Sequence, residues 1–261
     1  MNDNLKTIYL QALDDYNKTP LAYKEGWVQK FSNYSLLQIL KINDVLNENN
    51  KILDIGTGSG IVPIVFKKMG FDICTIDYVV TGGNALNNID LFNIPNKNVN
   101  LNNSILPFDN NSFDVIFMGD VIEHLPNSPK KIIKEFYRIL KPGGYMVIST
   151  PNSLRLIGRI KLLFGHSIWP SLESFYNSEY NETHHHEYTP NELKFVFNDN
   201  GFKIDNLTFF EENLNVDKRF DSFLGRFIKF ILNSILMVIP RLKSNMILTV
   251  KKNSHNQRKY V

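Results

Sequence analysis

Cysteine is almost missing from this 261-residue chain, where Cys74 stands alone. A single thiol excludes an internal disulfide and any cysteine-rich metal centre, and it points to a reducing compartment. Also missing is an uncharged apolar run of about 18 residues or more, so no ordinary membrane-spanning helix is expected. The first residues, MNDNLKTIYL, lack the basic-then-apolar order of a secretory leader. Together these absences predict a cytoplasmic location. No internal repeat is present either, which excludes solenoids and propellers.

What the chain does have is apolar material, 43% hydrophobic and 12% aromatic. That suits one large α/β domain with additions. A charged fraction of 21% sets the chain apart from disordered sequences. The charge is uneven. From Lys218 onward ten basic residues face the single acid Asp221, a net +9, while the remainder holds 19 basic against 25 acidic residues, a net −6. A basic tail on a mildly acidic body points to an anionic partner for the tail.

Residues 1–50 read as a helical cap, with Leu36, Leu37, Leu40, Val45 and Leu46 in a rough helical spacing. From Lys51 strand and helix alternate. KILDI is a short apolar strand, Ile61 to Met69 a helix ended by Gly70, and Phe71 to Ile76 a second strand closing on Asp77. The Asn-rich stretch from Thr81 to Asn103 stays unassigned. FDVIFM at 113–118 is a further strand, Lys130 to Leu140 an amphipathic helix, Lys141-Pro-Gly-Gly a turn, and Tyr145 to Ser149 another strand. Such alternation predicts right-handed βαβ units and a parallel sheet. Beyond lie an aromatic insert (151–188), a helix capped by Thr189-Pro190, a strand from Phe202 to Phe210, an apolar helix from Arg219 to Ile239 and a last strand from Met246 to Val250.

The most informative segment is Leu53-Asp-Ile-Gly-Thr-Gly-Ser-Gly60. Glycines at 56, 58 and 60 let the backbone pass close to a ligand, and the N-terminal amides of the next helix face the same space. A nicotinamide-type fingerprint needs a third glycine at 61, where Ile61 stands. Asp54 also favours an amine-bearing ligand over a pyrophosphate. Asp77 ends the second strand about 20 residues on, where a carboxylate can accept both hydroxyls of a ribose. The plain alternative is an ordinary strand-to-helix turn followed by an exposed acid.

This segment resembles motif I of class I S-adenosylmethionine-dependent methyltransferases. Three later segments are similar to the small-molecule "type 11" branch of quinone and glycan-pathway enzymes: Leu106-Pro-Phe-Asp-Asn-Asn-Ser-Phe-Asp-Val115, Val121-Ile-Glu-His-Leu125 and Arg138-Ile-Leu-Lys-Pro-Gly-Gly144. The resemblance covers about residues 45–205. It implies a Rossmann-like α/β fold, a mainly parallel seven-stranded sheet flanked by helices, with a C-terminal amphipathic helix. The domain division it suggests is a 1–50 cap, a 45–210 cofactor domain containing a 151–188 acceptor lid, and a 211–261 segment that completes the domain. The implied cofactor is S-adenosyl-L-methionine, held by Asp54, Gly56, Thr57, Gly58 and Gly60 at its amino-acid end and by Asp77 at its ribose, with Tyr78 a further cofactor-binding residue. Asn102 and Asn103 fall where the family carries an acid reading the adenine, Ser104 and Ile105 are placed to share that contact, and Gly119 and Asp120 edge the same site. Asparagine there is a departure, as is the poor helix start Thr81-Gly-Gly; both keep open a non-catalytic cofactor-binding or scaffold protein of the same fold.

Methyl transfer from a sulfonium needs alignment and a dry pocket, and a base only where the acceptor must lose a proton. His124 is a candidate base by its ordinary pKa, or else a loop-fixing histidine. His184, His185 and His186 alternate sides in an extended chain, so the triplet predicts no metal site; His186 best fits the family's acceptor-side histidine. Phe164, Trp169, Phe175, Tyr176 and Tyr180 belong either to an acceptor lid or to an added core. In the helix 219–240, Arg219, Ser222, Arg226, Lys229 and Asn233 form one polar stripe beside a wide apolar arc. Such a helix can lie in an anionic membrane surface, pack on the sheet, or join a homodimer. The expected acceptor is therefore a small or lipid-linked molecule, methylated on oxygen, with a peripheral position at the inner membrane face where the lipid reading holds. Nucleic acid is not expected, since no Asn/Asp-Pro-Pro-Tyr-like motif follows the fourth strand.

Overall fold

The apolar runs that follow Lys51 and Ser112 become neighbours at the centre of a seven-stranded sheet in the computed structural model. The structure describes residues 3–19, 32–78, 89–103, 105–168, 172–177, 184–212 and 222–254. The strands are β1 (Lys51–Ile55), β2 (Asp72–Asp77), β3 (Asn96–Asn98), β4 (Phe113–Gly119), β5 (Leu140–Pro151), β6 (Phe202–Phe210) and β7 (Asn245–Lys252). Their spatial order is β3-β2-β1-β4-β5-β7-β6, and β7 alone runs antiparallel to its neighbours. The chain leaves β1 toward β2 on one side, and β4 lies on the other. This reversal opens a crevice at the carboxyl ends of β1 and β4, where ligands bind in open α/β sheets.

Alternate strand residues supply two cores. Ile52, Ile73, Val115, Phe117 and Val147 pack on α1 (Asp3–Asn17), α2 (Asn33–Asn43) and α3 (Ile61–Lys68). Leu53, Ile55, Ile116, Met118 and Met146 pack on α4 (Lys130–Ile139) and α7 (Pro190–Asp199). The α4 face that reads apolar in sequence is the face that is buried, through Ile132, Ile133, Phe136 and Ile139. Each such side chain, fully removed from water, contributes about 1.5–3 kcal/mol. Thr189 closes a capping box with Glu192 at the start of α7, which fixes where the preceding strap enters the site.

Three expectations change. Lys141-Pro-Gly-Gly is not a free turn but part of β5. Leu140 pairs with Phe113 and Tyr145 with Val115, so four residues bulge opposite Asp114. Lys141 ties to that aspartate at 2.7 Å. The Asn-rich stretch contains β3, a polar edge strand that bonds β2 on one side only and carries no apolar alternation. The predicted 219–239 helix is α8, Phe223–Val238, while Arg219 and Phe220 lie outside the described residues. Its Leu232 and Leu236 pack against Leu156, Ile157 and Ile160 of α5 (Leu156–Leu163) as a satellite apart from both cores. A short α6 (Leu172–Asn177) follows α5. Among the described residues, no helix is long and apolar enough to cross a membrane.

Candidate functional site

The β1–α3 loop takes its shape from backbone that only glycine adopts readily. Gly56, Gly58 and Gly60 all have positive φ, at 71°, 51° and 80°. Gly56 also admits no side chain, because a Cβ there would lie 2.1 Å from Val121 Cγ2. Two predicted motifs thus meet: the glycine turn presses on the residue after β4. Asp77 closes the loop from the β2 side, accepting from Gly58 N at 3.2 Å and from Tyr78 N at 2.7 Å.

Behind the loop, Asp54 is 2% exposed and its Oδ2 has no hydrogen-bond partner. Burial, reinforced by the charge of Asp77 and opposed by the Thr57 hydroxyl, pushes its carboxyl up to about 7. A buried carboxylate oxygen without a donor is costly, and an ammonium group would satisfy it.

Asp120 sits at positive φ (54°) just past β4, and its amide donates to Ser149 O. The carboxylate accepts from Tyr34 Oη at 2.8 Å and from Gln38 Nε2 at 3.3 Å, and Gln38 also donates to Ser149 Oγ at 2.8 Å. Burial raises the Asp120 pKa against these donors, and burial followed by the Asp120 charge drives that of Tyr34 well up. Ser32 caps α2, and Phe210 of β6 stacks on Tyr34 at 5.7 Å. The helix α2 is therefore a wall of the site. The sequence does not mark Tyr34 and Gln38, because nothing in a helical repeat tells which polar residue meets a loop about 80 residues away.

Two clefts share Gly56 and Asp120. One, of about 210 Å³, is lined by Asp54, Thr57, Gly58, Gly119 and Gln38. The other, of about 220 Å³, is lined by Asp77, Tyr78, Asn100, Asn102, Val121 and His124. The predicted cofactor residues Asp54, Gly56, Thr57, Gly58, Asp77, Tyr78, Asn102, Gly119 and Asp120 thus each line one or both of these two adjoining clefts. Gly60 ends the loop as the left-handed residue before α3. Asn103 belongs to a short turn whose side chain, like Ser104, lies outside the described residues.

Beyond the second cleft His124 meets His184, rings edge to face with centroids 4.8 Å apart. His186 does not join them; it is exposed and lies edge-on against Tyr188. The backbone amides of His185 and His186 both donate to Glu123 O, at 2.7 and 3.2 Å, which turns His184 inward and His186 outward. Glu123 is fully buried, its Oε2 accepts from Thr150 Oγ1 at 2.9 Å, and burial pushes its carboxyl up to about 7. Nδ1 of His184 lies 3.0 Å from Glu187, whose other oxygen pairs with Arg155. Burial works to raise the Glu187 pKa, but the hydrogen bonds from His184 and Arg155 outweigh it and hold the carboxyl low. Of the aromatic insert, Phe164 and Tyr176 are exposed; Trp169, Tyr180 and the Phe175 side chain lie outside the described residues.

Comparison with known proteins gives the family and the fold. A phosphoethanolamine N-methyltransferase of Plasmodium falciparum is 32% identical over 120 residues, covering 40% of this chain and 40% of its own. A ubiquinone biosynthesis O-methyltransferase of Acinetobacter baumannii is 30% identical over 109 residues, covering 39% and 44%. The chain thus spans about two fifths of the length of the curated relatives it matches. The solved SAM-dependent methyltransferase of Methanosarcina mazei shares the fold at a TM-score of 0.57 and 21% identity, over 82% of this chain and 98% of that one. The profile described as "Methyltransferase domain" matches residues 28–207, from the segment ahead of α2 into β6, and the chain belongs to that methyltransferase family.

Proposed function

We propose that the chain moves the methyl group of S-adenosylmethionine onto an oxygen of a small, quinone-, sugar- or glycan-like acceptor. One observation carries the reading. Asp54, whose Oδ2 is buried and unpartnered, lines a glycine-rich cleft that shares Gly56 and Asp120 with a second cleft edged by Asp77. An ammonium suits the first acid and a ribose diol the second. Asp54 and the Gly56–Gly60 loop then hold the amino-acid end, Asp77 the ribose, and Tyr78 with Asn102 and its neighbours the adenine. When bound, the cofactor supplies the electrophilic methyl; the protein supplies alignment and exclusion of water. Asp120, fixed by Tyr34 and Gln38, borders both clefts between the two acids. His124, at the far lip of the second cleft, is the group in reach to take a proton from an acceptor hydroxyl.

The acceptor is lipid-linked in this reading, because the surface formed by α5 and α8 suits a membrane. Phe230 is 68% and Val238 82% exposed on α8, and Leu163 is 84% exposed at the tip of α5. The stretches 153–168 and 222–243, which contain these helices, carry Arg159, Lys161, Arg226, Arg241 and Lys243 and no acid. Apolar groups rimmed by cations are what an anionic leaflet binds. The test is mass spectrometry of lipid and aqueous extracts incubated with the protein and a deuterated-methyl cofactor. A labelled extractable lipid supports the proposal. Label confined to water-soluble products removes the lipid part, and no label at all removes methyl transfer.

A further inference from the structure

Three ligand-type side chains from distant segments converge beside the second cleft. Glu123 and His124 belong to the turn after β4, and His184 to the strap ahead of α7. One ligand atom of each lies within 4.8 Å of the other two. Glu123 is 0% exposed, and its Oε1 has no hydrogen-bond partner. A buried carboxylate oxygen in that condition is expensive unless a cation meets it.

Glu123 and His184 are tethered in the manner of metal ligands. Thr150 Oγ1 donates to Glu123 Oε2 at 2.9 Å. Nδ1 of His184 is held by Glu187, and Glu187 by Arg155. That leaves Nε2 as the ligating nitrogen of His184, the carboxylate–imidazole–metal arrangement seen in protein metal sites. The amides of His185 and His186 stitch the strap to Glu123 O, so two segments about 60 residues apart are brought into one frame.

We propose that Glu123, His124 and His184 bind a divalent metal ion of the zinc type, with an open position toward the cleft that His124 lines. Two imidazoles and a carboxylate favour zinc-like ions over magnesium or calcium, and open zinc sites use three protein ligands. Bonds of about 2.1 Å in a tetrahedron put ligand atoms about 3.4 Å apart, so modest side-chain rotation closes the cluster on an ion. The adjacent-histidine argument from sequence does not reach this site, because only His184 of the triplet takes part. With metal bound, His124 would serve as a ligand and not as the free base, and the metal would lower the acceptor hydroxyl's pKa in its place; that consequence rests on the methyl-transfer proposal, whereas the metal site does not.

The test is titration of the untagged full chain with Co²⁺, followed by visible absorption, with Zn²⁺ as competitor and circular dichroism to check folding. We expect a single saturable site with the intense absorption of four-coordinate Co²⁺, displaced by Zn²⁺. His184→Ala should weaken binding by more than about tenfold, and Glu187→Gln, which touches only the ligand's partner, by about ten- to a hundredfold. His185→Ala should bind as the parent does. Absence of a saturable site, unchanged binding in folded His184→Ala or Glu187→Gln, or equal loss in His185→Ala would each overturn the proposal. S-adenosylmethionine calorimetry on the same samples keeps the two questions apart: metal uptake without nucleoside binding sinks only the methyl-transfer reading, and the converse sinks only this one.

Discussion

Replacing Asp54 with Asn separates what the acid costs the fold from what it gives the ligand. Burial lifts its pKa from 3.8 to about 7. The folded state therefore holds this proton more tightly than the unfolded chain. Stability from this group is greatest at acid pH, falls as pH rises from about 4 through about 7, and is flat beyond. A shift of about three pH units corresponds to about 4 kcal/mol set against folding at pH 8 without ligand. Asparagine removes that charge but brings amide hydrogens, of which an unmet one costs about 1–3 kcal/mol. Asp54→Asn should then be more stable than the parent by about 1–3 kcal/mol at pH 8, and by much less at pH 5. In a chain of this size that is a rise in Tm of roughly 2–4 °C per kcal/mol. The same change removes the partner of the ligand's ammonium, so the Tm rise produced by S-adenosylmethionine at pH 8 should largely vanish. Differential scanning calorimetry at pH 5 and pH 8, with and without the cofactor, reads all of this. A variant less stable than the parent at pH 8, or one with the parent's full ligand-induced shift, would refute the reasoning.

Gly56→Ala adds a Cβ 2.1 Å from Val121 Cγ2 at φ 71°, so it should destabilise the fold by about 1–3 kcal/mol in urea titrations. Pairing it with Val121→Ala should recover the steric part but not the backbone strain. Tyr34→Phe takes one donor from the buried Asp120 carboxylate; turnover should fall and stability should drop by about 1.5–3 kcal/mol, measured by label transfer and thermal melts. Phe227→Ser with Phe230→Ser changes two exposed positions of α8, so Tm should hold while sedimentation with phosphatidylglycerol vesicles drops several-fold. Equal sedimentation of parent and variant would remove the membrane surface from the account.

The parts of the fold legible in sequence are those written in short-range chemistry. KILDI running into glycines fixes β1, its loop and the start of α3, because apolar runs and left-handed turns are local properties. The apolar stripe of α4 and the Thr189 cap of α7 are legible for the same reason. β3 is not, since Asn-Lys-Asn on a sheet edge needs backbone pairing with β2 and no buried side chain. Lys141 to Gly144 reads as a turn because its place in β5 depends on Asp114 across the sheet, which holds Lys141 and accepts from the amide of Lys51. At the site, Asp54, Gly56 and Asp77 declare themselves through spacing along neighbouring strands. Tyr34, Gln38 and the pairing of His184 with His124 do not, since each depends on a contact across the fold between segments with no shared motif. Which of three adjacent histidines turns inward is decided by two backbone hydrogen bonds to Glu123 O, and no side-chain pattern encodes those.

The most direct measurement is isothermal titration of the purified chain with S-adenosylmethionine, set beside Asp77→Ala. Asp77 borders the second cleft with its carboxylate held by the Gly58 and Tyr78 amides, and the proposed reading assigns it the ribose hydroxyls. The account predicts saturable binding by the parent and at least about a tenfold loss in the folded variant, the scale of a lost hydrogen bond to a charged group. No heat of binding from the parent, or equal affinity in the two proteins, would contradict it.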